Sequence, residues 1–172
     1  MNELEVVNIR LVKEPSLYCE RPIHSPSDAV EVVGREISQY DREVLCVLNL
    51  KANGQIININ IACMGTVDQA IVNPREVFKS SILSNARSII LMHNHPSGSL
   101  KPSNEDKRIT RRLWKCGKLL GIHIEDHIII AGTSGEKFSF SEMGYIREME
   151  LAEEVSEAEI IPFHKAKERE ER

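Results

Sequence analysis

Two histidines and an aspartate stand close together in the middle of this chain, at a spacing that could hold a metal ion. His93 and His95 end a short apolar segment that starts at Ser88. Side chains two apart on a β-strand project from the same face, so the two imidazoles can be presented together. After a Pro-Ser-Gly turn, Ser103 is a natural helix N-cap and places Asp106 in the first helical turn. This pattern predicts that two imidazoles and one carboxylate converge.

Zinc suits such a ligand set, because imidazole nitrogen and carboxylate oxygen are both good zinc ligands. Three protein ligands leave the fourth tetrahedral position open for water, which is typical of a catalytic zinc site. The metal would lower the pKa of the bound water toward about 7, so that hydroxide forms at neutral pH. We therefore expect one catalytic zinc ion held by His93, His95 and Asp106.

Strands and helices alternate around this cluster. The segments with strand patterns are residues 5–12, 43–50, 55–61, 88–93 and 122–131. The segments with helical patterns and capping signals are residues 28–40, 74–86 and 103–120. Asn53-Gly54 marks a hairpin turn, and no G-x-G-x-x-G is present. The order predicts an α/β or α+β domain with a mixed sheet covered by helices, and it is too irregular for a Rossmann unit.

Composition limits the classes of protein. The 172 residues carry a net charge of −4, and no apolar run approaches the roughly 18 residues of a membrane span. The N-terminus lacks an export signal, and the four cysteines form no C-x-x-C, so we expect a cytoplasmic protein without disulfides. The acidic excess lies in residues 147–172, which leaves a neutral body, and a dedicated nucleic-acid binder would be basic.

We expect an N-terminal strand and loop (1–24), a domain (25–146) and a charged helical or disordered tail (147–172).

The pattern H-x-H, seven residues, Ser, two residues, Asp resembles the JAMM motif of JAB/MPN metallopeptidases without a gap. More narrowly, residues 41–43, 73–76, 93–98 and 120–130 look like the bacterial RadC-like branch, historically labelled a DNA repair family. The resemblance covers about residues 25–146. It implies an MPN fold, which is a curved mixed β-sheet flanked by helices, and it implies the same three zinc ligands.

The resemblance also implies a catalytic glutamate upstream, which spacing alone does not choose. Glu43 and Glu76 both occur in an Arg-Glu-Val context. Glu76 is sufficiently explained as a first-turn helix acid, whereas a carboxylate at the start of an apolar strand is harder to explain structurally. This exclusion and the family pattern both select Glu43 as the general base. Ser103 matches the family serine that helps to stabilise the oxyanion, although a plain N-cap explains it equally well.

The implied activity is zinc-dependent hydrolysis of an amide or isopeptide bond in a protein or peptide substrate, with the oligomeric state left open. A zinc deaminase is the nearest chemical rival, but its H-x-E and P-C-x-x-C signatures are missing. A non-catalytic MPN interaction module would be expected to have lost ligands, and all are present.

A DNA-associated accessory role is the other alternative. Full-length relatives commonly carry an N-terminal helix-hairpin-helix region, which we do not expect in the residues before 25. A basic face on the helix over residues 103–120 could attract phosphates, although such faces are usually just solvated: Lys107, Arg108, Arg111, Arg112, Lys115 and Lys118.

The remaining residues that we singled out have structural explanations. We expect the apolar residues of the same helix to pack in the core: Trp114, Leu119 and Leu120. We also expect the other histidines to be ordinary hydrogen-bonded core residues: His24, His123, His127 and His164.

Overall fold

The computed structural model of the chain describes residues 26–65, 72–131 and 136–154. Its helices are α1 (Pro26–Ile37), α2 (Pro74–Leu83) and α3 (Asn104–Leu120). Its strands are β1 (Val44–Leu50), β2 (Ile56–Met64), β3 (Ser88–His95), β4 (His123–Ala131) and β5 (Glu136–Ser139). Residues 145–154 are also helical. The predicted strand over residues 5–12, His24, His164 and most of the predicted tail lie outside the described residues.

The five strands form one mixed sheet in the order β2-β1-β3-β4-β5. β1 pairs antiparallel with both β2 and β3, whereas β3 and β4 are parallel and are connected through α3. Every residue of β1 and of β3 is buried. Such continuous burial occurs when both faces of a sheet are covered, and the predicted mixed sheet flanked by helices is confirmed.

Side-chain alternation divides the core into two layers on opposite faces of the sheet. One layer contains Leu45 and Leu91 from the strands together with Phe78 of α2 and Leu113 of α3. The other layer packs α1 against the opposite face of β1 and β3. Since residues two apart share a face, His93 and His95 of β3 lie on the side of α2 and α3.

The helix that carries Asp106 buries one narrow face. Its buried residues are Thr110, Leu113, Trp114 and Gly117, which is the i, i+3, i+4, i+7 spacing of a single helix face. Trp114 is therefore in the core as predicted, but the prediction for Leu119 and Leu120 is wrong. These two side chains are 89% and 48% exposed. They lie in the last turn of the helix, beyond the last buried residue of its buried face, Gly117.

The helix over residues 145–154 begins before the predicted domain boundary at residue 146. Ile146 is buried and Met149 packs against the core layer formed with α2 and α3. The first turns of the predicted tail therefore belong to the packed structure. Within the described residues, no helix combines the length and apolar character needed to cross a membrane.

Candidate metal centre

β3 and α3 bring the three predicted ligands together. His93 and His95 occupy the last positions of β3, where β1 and β4 flank the strand. Asp106 lies in the first turn of α3, which crosses the same face of the sheet. Both imidazoles are buried and Asp106 is partly buried, so the cluster lies at the boundary between the core and solvent.

The ligand atoms of these residues face one another. His93 Nε2 lies 2.9 Å from His95 Nε2 and 3.4 Å from Asp106 Oδ1, and His95 Nε2 lies 3.6 Å from Asp106 Oδ2. One ligand atom from each residue falls within 4.8 Å of the others. A His-His-Asp group therefore lies close together, as in a JAMM-type metal site.

Ser103 holds the carboxylate in place. Its backbone N–H and its hydroxyl both donate to Asp106 Oδ2, at 2.7 and 2.6 Å, and Asp106 N–H donates to Ser103 Oγ at 3.0 Å. This reciprocal arrangement is a capping box, so the N-cap interpretation of Ser103 is confirmed. The oxyanion role of Ser103 stays a prediction.

The protonation of the cluster follows from its surroundings. Burial lowers the pKa of His93 to about 4, so this imidazole is neutral at pH 7. The Asp106 carboxylate, 3.6 Å from Nε2, raises the pKa of His95 despite the burial of this ring. Burial also pushes the pKa of Asp106 upward, but the neighbouring His95 and the hydrogen bonds from Ser103 outweigh it and hold this pKa well below its usual range. Asp106 is therefore a carboxylate, as a metal ligand must be.

The donor set fits a cation. His95 Nδ1 lies 2.7 Å from the carbonyl oxygen of Ser99, which can only accept, so Nδ1 carries the proton and Nε2 of the neutral ring keeps its lone pair. That lone pair faces the Asp106 carboxylate, which is also an acceptor. Two acceptors directed at one point repel each other unless a proton or a metal cation lies between them, and the raised pKa of His95 reflects the same attraction for positive charge. Zinc, with its preference for imidazole and carboxylate, suits this set.

Glu43 is exposed and immediately precedes β1. The pairing of Leu45 with His93 places Glu43 opposite His95 when the antiparallel register is continued by two residues. The same alternation puts Glu43 on the face of the sheet that carries the histidines, and its charge contributes to raising the pKa of His95. These relations are compatible with the predicted role as base, which stays a prediction.

Glu43 was preferred to Glu76 because a carboxylate at the start of an apolar strand is hard to explain structurally, and this reason is wrong in one respect. The strand begins one residue later, at Val44, so the Glu43 carboxylate is exposed and has no burial to explain. Glu76 is a first-turn acid of α2, as expected, and forms an ion pair with Lys79.

Asn94, between the two histidines, points to the opposite face and fixes the segment that carries Glu43. Its side-chain Oδ1 accepts from Val44 N–H at 2.7 Å, and its Nδ2 donates to the carbonyl oxygens of Tyr40 and Arg42 at 3.4 and 3.0 Å. Asn94 is 1% exposed, and its bond with Val44 N–H is buried. The residue therefore ties the approach to β1 to the strand that carries the ligands.

Sequence reasoning missed the environment of His127. The residue is buried and hydrogen-bonded, as predicted for a core histidine, but its partner is the predicted ligand His93: His93 Nδ1 and His127 Nε2 are 2.8 Å apart. Burial lowers the pKa of His127 well below its usual value. The position of His127 directly before the apolar run 128–131 was the available signal, but only the β3 and β4 pairing shows its partner. The prediction of a core position for His123 is wrong, because this residue is exposed.

The basic face of α3 is exposed as expected, and its members are Lys107, Arg108, Arg111, Arg112, Lys115 and Lys118. Two of these basic side chains form ion pairs with carboxylates of the same protein. Arg108 pairs with Glu105 and Lys118 with Glu153. The three cysteines in the described residues, Cys46, Cys63 and Cys116, are free thiols, as predicted.

Comparison with known proteins agrees with this geometry. The model of the family described as "RadC-like JAB domain" matches residues 23–145. Among similar curated proteins, a UPF0758 protein from Clostridium acetobutylicum is 44% identical over 124 residues, covering 72% of this chain and 53% of the relative. A UPF0758 protein from Finegoldia magna is 48% identical over 109 residues, covering 63% and 49%, respectively. A UPF0758 protein from Methanosarcina acetivorans is 40% identical over 136 residues, covering 79% and 57%. The aligned part thus spans about half the length of these relatives, and their names state no activity.

Proposed function

Because this chain belongs to the RadC-like JAB domain family, we propose that it is a zinc-dependent hydrolase that cleaves an amide or isopeptide bond in a protein or peptide. The observation that carries the proposal is the convergence of the ligand atoms of His93, His95 and Asp106 within 4.8 Å. The donor set supports a catalytic metal, because it supplies three protein ligands.

His93 and His95 would hold the ion through Nε2, and Asp106 would hold it through its carboxylate. When bound there, zinc supplies a water nucleophile that is activated at neutral pH and offsets negative charge on the scissile carbonyl oxygen. We assign the proton transfers and the support of the oxyanion to side chains of the protein.

Glu43 takes the proton from the attacking water and later delivers a proton to the leaving amine. Its exposed position next to the ligand strand suits a group that must exchange protons with water and substrate. The Ser103 hydroxyl now donates to Asp106, so its first task is to hold this ligand. Support of the oxyanion requires that the same proton turn from Asp106 toward the substrate.

A screen of peptide and isopeptide substrates with three proteins tests the proposal. We expect zinc-dependent turnover by the wild type, and a loss of about 10²–10⁴-fold in Glu43→Gln, which keeps the shape and removes the base. Glu76→Gln is the matched control, since it alters the other Arg-Glu-Val glutamate.

Zinc binding is measured in parallel for all three proteins. Retained zinc in Glu43→Gln would assign its loss of turnover to proton transfer. Equal turnover by Glu43→Gln and the wild type would contradict the assignment of the base, and absence of turnover on every substrate would count against the hydrolase.

A DNA-associated role is the second candidate, based on the exposed basic face of α3. Internal ion pairs already occupy Arg108 and Lys118, and the net charge of the chain is −4, so the observations favour the hydrolase. A salt-titrated DNA-binding assay separates the two. Binding at low salt that weakens steeply with salt would support the DNA role, and its absence at low salt would remove it.

A further inference from the structure

Two buried polar side chains next to the candidate metal centre connect α3, which carries Asp106, with β3, which carries His93. Thr110 is on α3, one turn after Asp106, and His127 is on β4, beside the ligand strand. Both are 1% exposed. Thr110 Oγ1 lies 2.5 Å from the carbonyl oxygen of Asp106 and 2.6 Å from His127 Nδ1, and His127 Nε2 lies 2.8 Å from His93 Nδ1. A continuous chain of hydrogen bonds therefore runs from the backbone of one ligand to the ring of another.

The direction of each hydrogen bond in this chain follows from its first member. A backbone carbonyl oxygen can only accept, so the short contact between the two oxygens requires the Thr110 hydroxyl proton to point at Asp106. A hydroxyl has one proton, so its oxygen must accept from His127. His127 Nδ1 therefore carries a proton, and Nε2 of this neutral, buried ring is an acceptor. The donor that faces it is Nδ1–H of His93.

We propose that Thr110 and His127 are positioning residues that keep His93 protonated at Nδ1, so that the lone pair of Nε2 is directed into the metal centre. This inference deepens the proposed function and rests on its zinc site. Neither residue touches substrate or ion. The Ser99 carbonyl fixes the same tautomer of His95, so both imidazoles present Nε2 by the same principle.

Core packing alone does not account for these residues. His127 stacks on Phe140, with ring centroids 5.0 Å apart and an interplanar angle of 14°, and an apolar ring would fill that space equally well. A buried imidazole is unfavourable unless both nitrogens find partners, and here each nitrogen has one. These hydrogen bonds also link α3 to β3 through β4, so they constrain the distance between Asp106 and His93.

Substitution of the hydroxyl tests the proposal without removing a ring. Thr110→Val has nearly the same shape and lacks the hydroxyl, whereas Thr110→Ser keeps it. We expect zinc affinity, measured by chelator competition, to fall about 10–100-fold in Thr110→Val, as is usual when such a supporting partner of a ligand is lost. Thr110→Ser should stay close to the wild type. Equal affinity in Thr110→Val and wild type, or the same loss in both variants, would overturn the proposal.

The tautomers give a second readout that needs neither zinc nor activity. In long-range proton–nitrogen NMR spectra of the metal-free wild type at neutral pH, we expect His93 and His127 to carry the proton on Nδ1. A proton on Nε2 of His93 would overturn the proposal. If the wild type binds no zinc, the proposed function fails, while the tautomer measurement still decides the role of Thr110 and His127.

Discussion

Acidification should destabilise the metal-free protein, because two imidazoles are buried in their neutral form. The pKa of His93 is lowered from 6.5 to about 4, and that of His127 is lowered further, both by burial. Between pH 6.5 and 4, His93 and His127 therefore bind protons in the unfolded chain but stay largely neutral in the folded chain. The free energy of unfolding consequently falls as the pH falls. At pH 5 this linkage amounts to about 2 kcal/mol for His93, and the lowered pKa of His127 acts in the same direction.

His95 acts in the opposite direction. Its pKa is raised by Asp106, so its protonation favours the folded state below its raised pKa and offsets part of the loss. We therefore expect the free energy of unfolding to be lower at pH 5 than at pH 7, because two buried imidazoles oppose protonation and only one favours it. At pH 5 the carboxylates of the unfolded chain are still largely ionised.

Urea unfolding in the presence of a chelator measures this difference. The fluorescence of Trp114, the single tryptophan of the chain, reports on the core next to α3. His123→Gln is the control, since His123 is exposed and its replacement should leave the loss unchanged. An equal or higher free energy of unfolding at pH 5, with the same m-value, would refute the reasoning.

Two further predictions concern packing around the site. Asn94→Ala should lower the free energy of unfolding by about 1–3 kcal/mol, because it leaves the buried N–H of Val44 without its partner; urea unfolding measures this loss, and an unchanged midpoint would contradict it. Gly117→Ala should destabilise by about 1–3 kcal/mol in the same assay, because its Cβ would overlap the backbone carbonyl oxygen of Ile122. Gly34→Ala, whose Cβ meets the flexible end of a side chain, should have a smaller effect, and the reverse order would show that the backbone yields easily.

The local parts of the fold were predictable from the sequence. The Ser103 cap and the glycine after α3 mark its ends, and the structure has the capping box and a left-handed Gly121 with φ of 69°. The strand over residues 88–93 was predicted two residues short, because the polar residues Asn94 and His95 end the apolar pattern although both are buried. Buried polar residues at the end of a strand thus conceal its boundary from an apolar pattern.

The relations between distant segments were not predictable from spacing. The position of Glu43 opposite His95 depends on the register of β1 and β3, and the exclusion used to choose it assumed a strand that starts one residue too early. His127 reaches His93 only because β3 and β4 are parallel with Leu91 beside His127. Pairing register is decided by the packing of the whole sheet, which no local pattern in the chain specifies.

Equilibrium dialysis against zinc, followed by metal analysis, tests the central claim most directly. We expect one zinc ion per chain in the wild type and in Glu105→Gln, which alters an exposed neighbour in the same helical turn. Asp106→Asn removes the charged ligand and should lose the bound zinc. A folded wild type without zinc, or Asp106→Asn that binds zinc as tightly as the wild type, would contradict the metal centre.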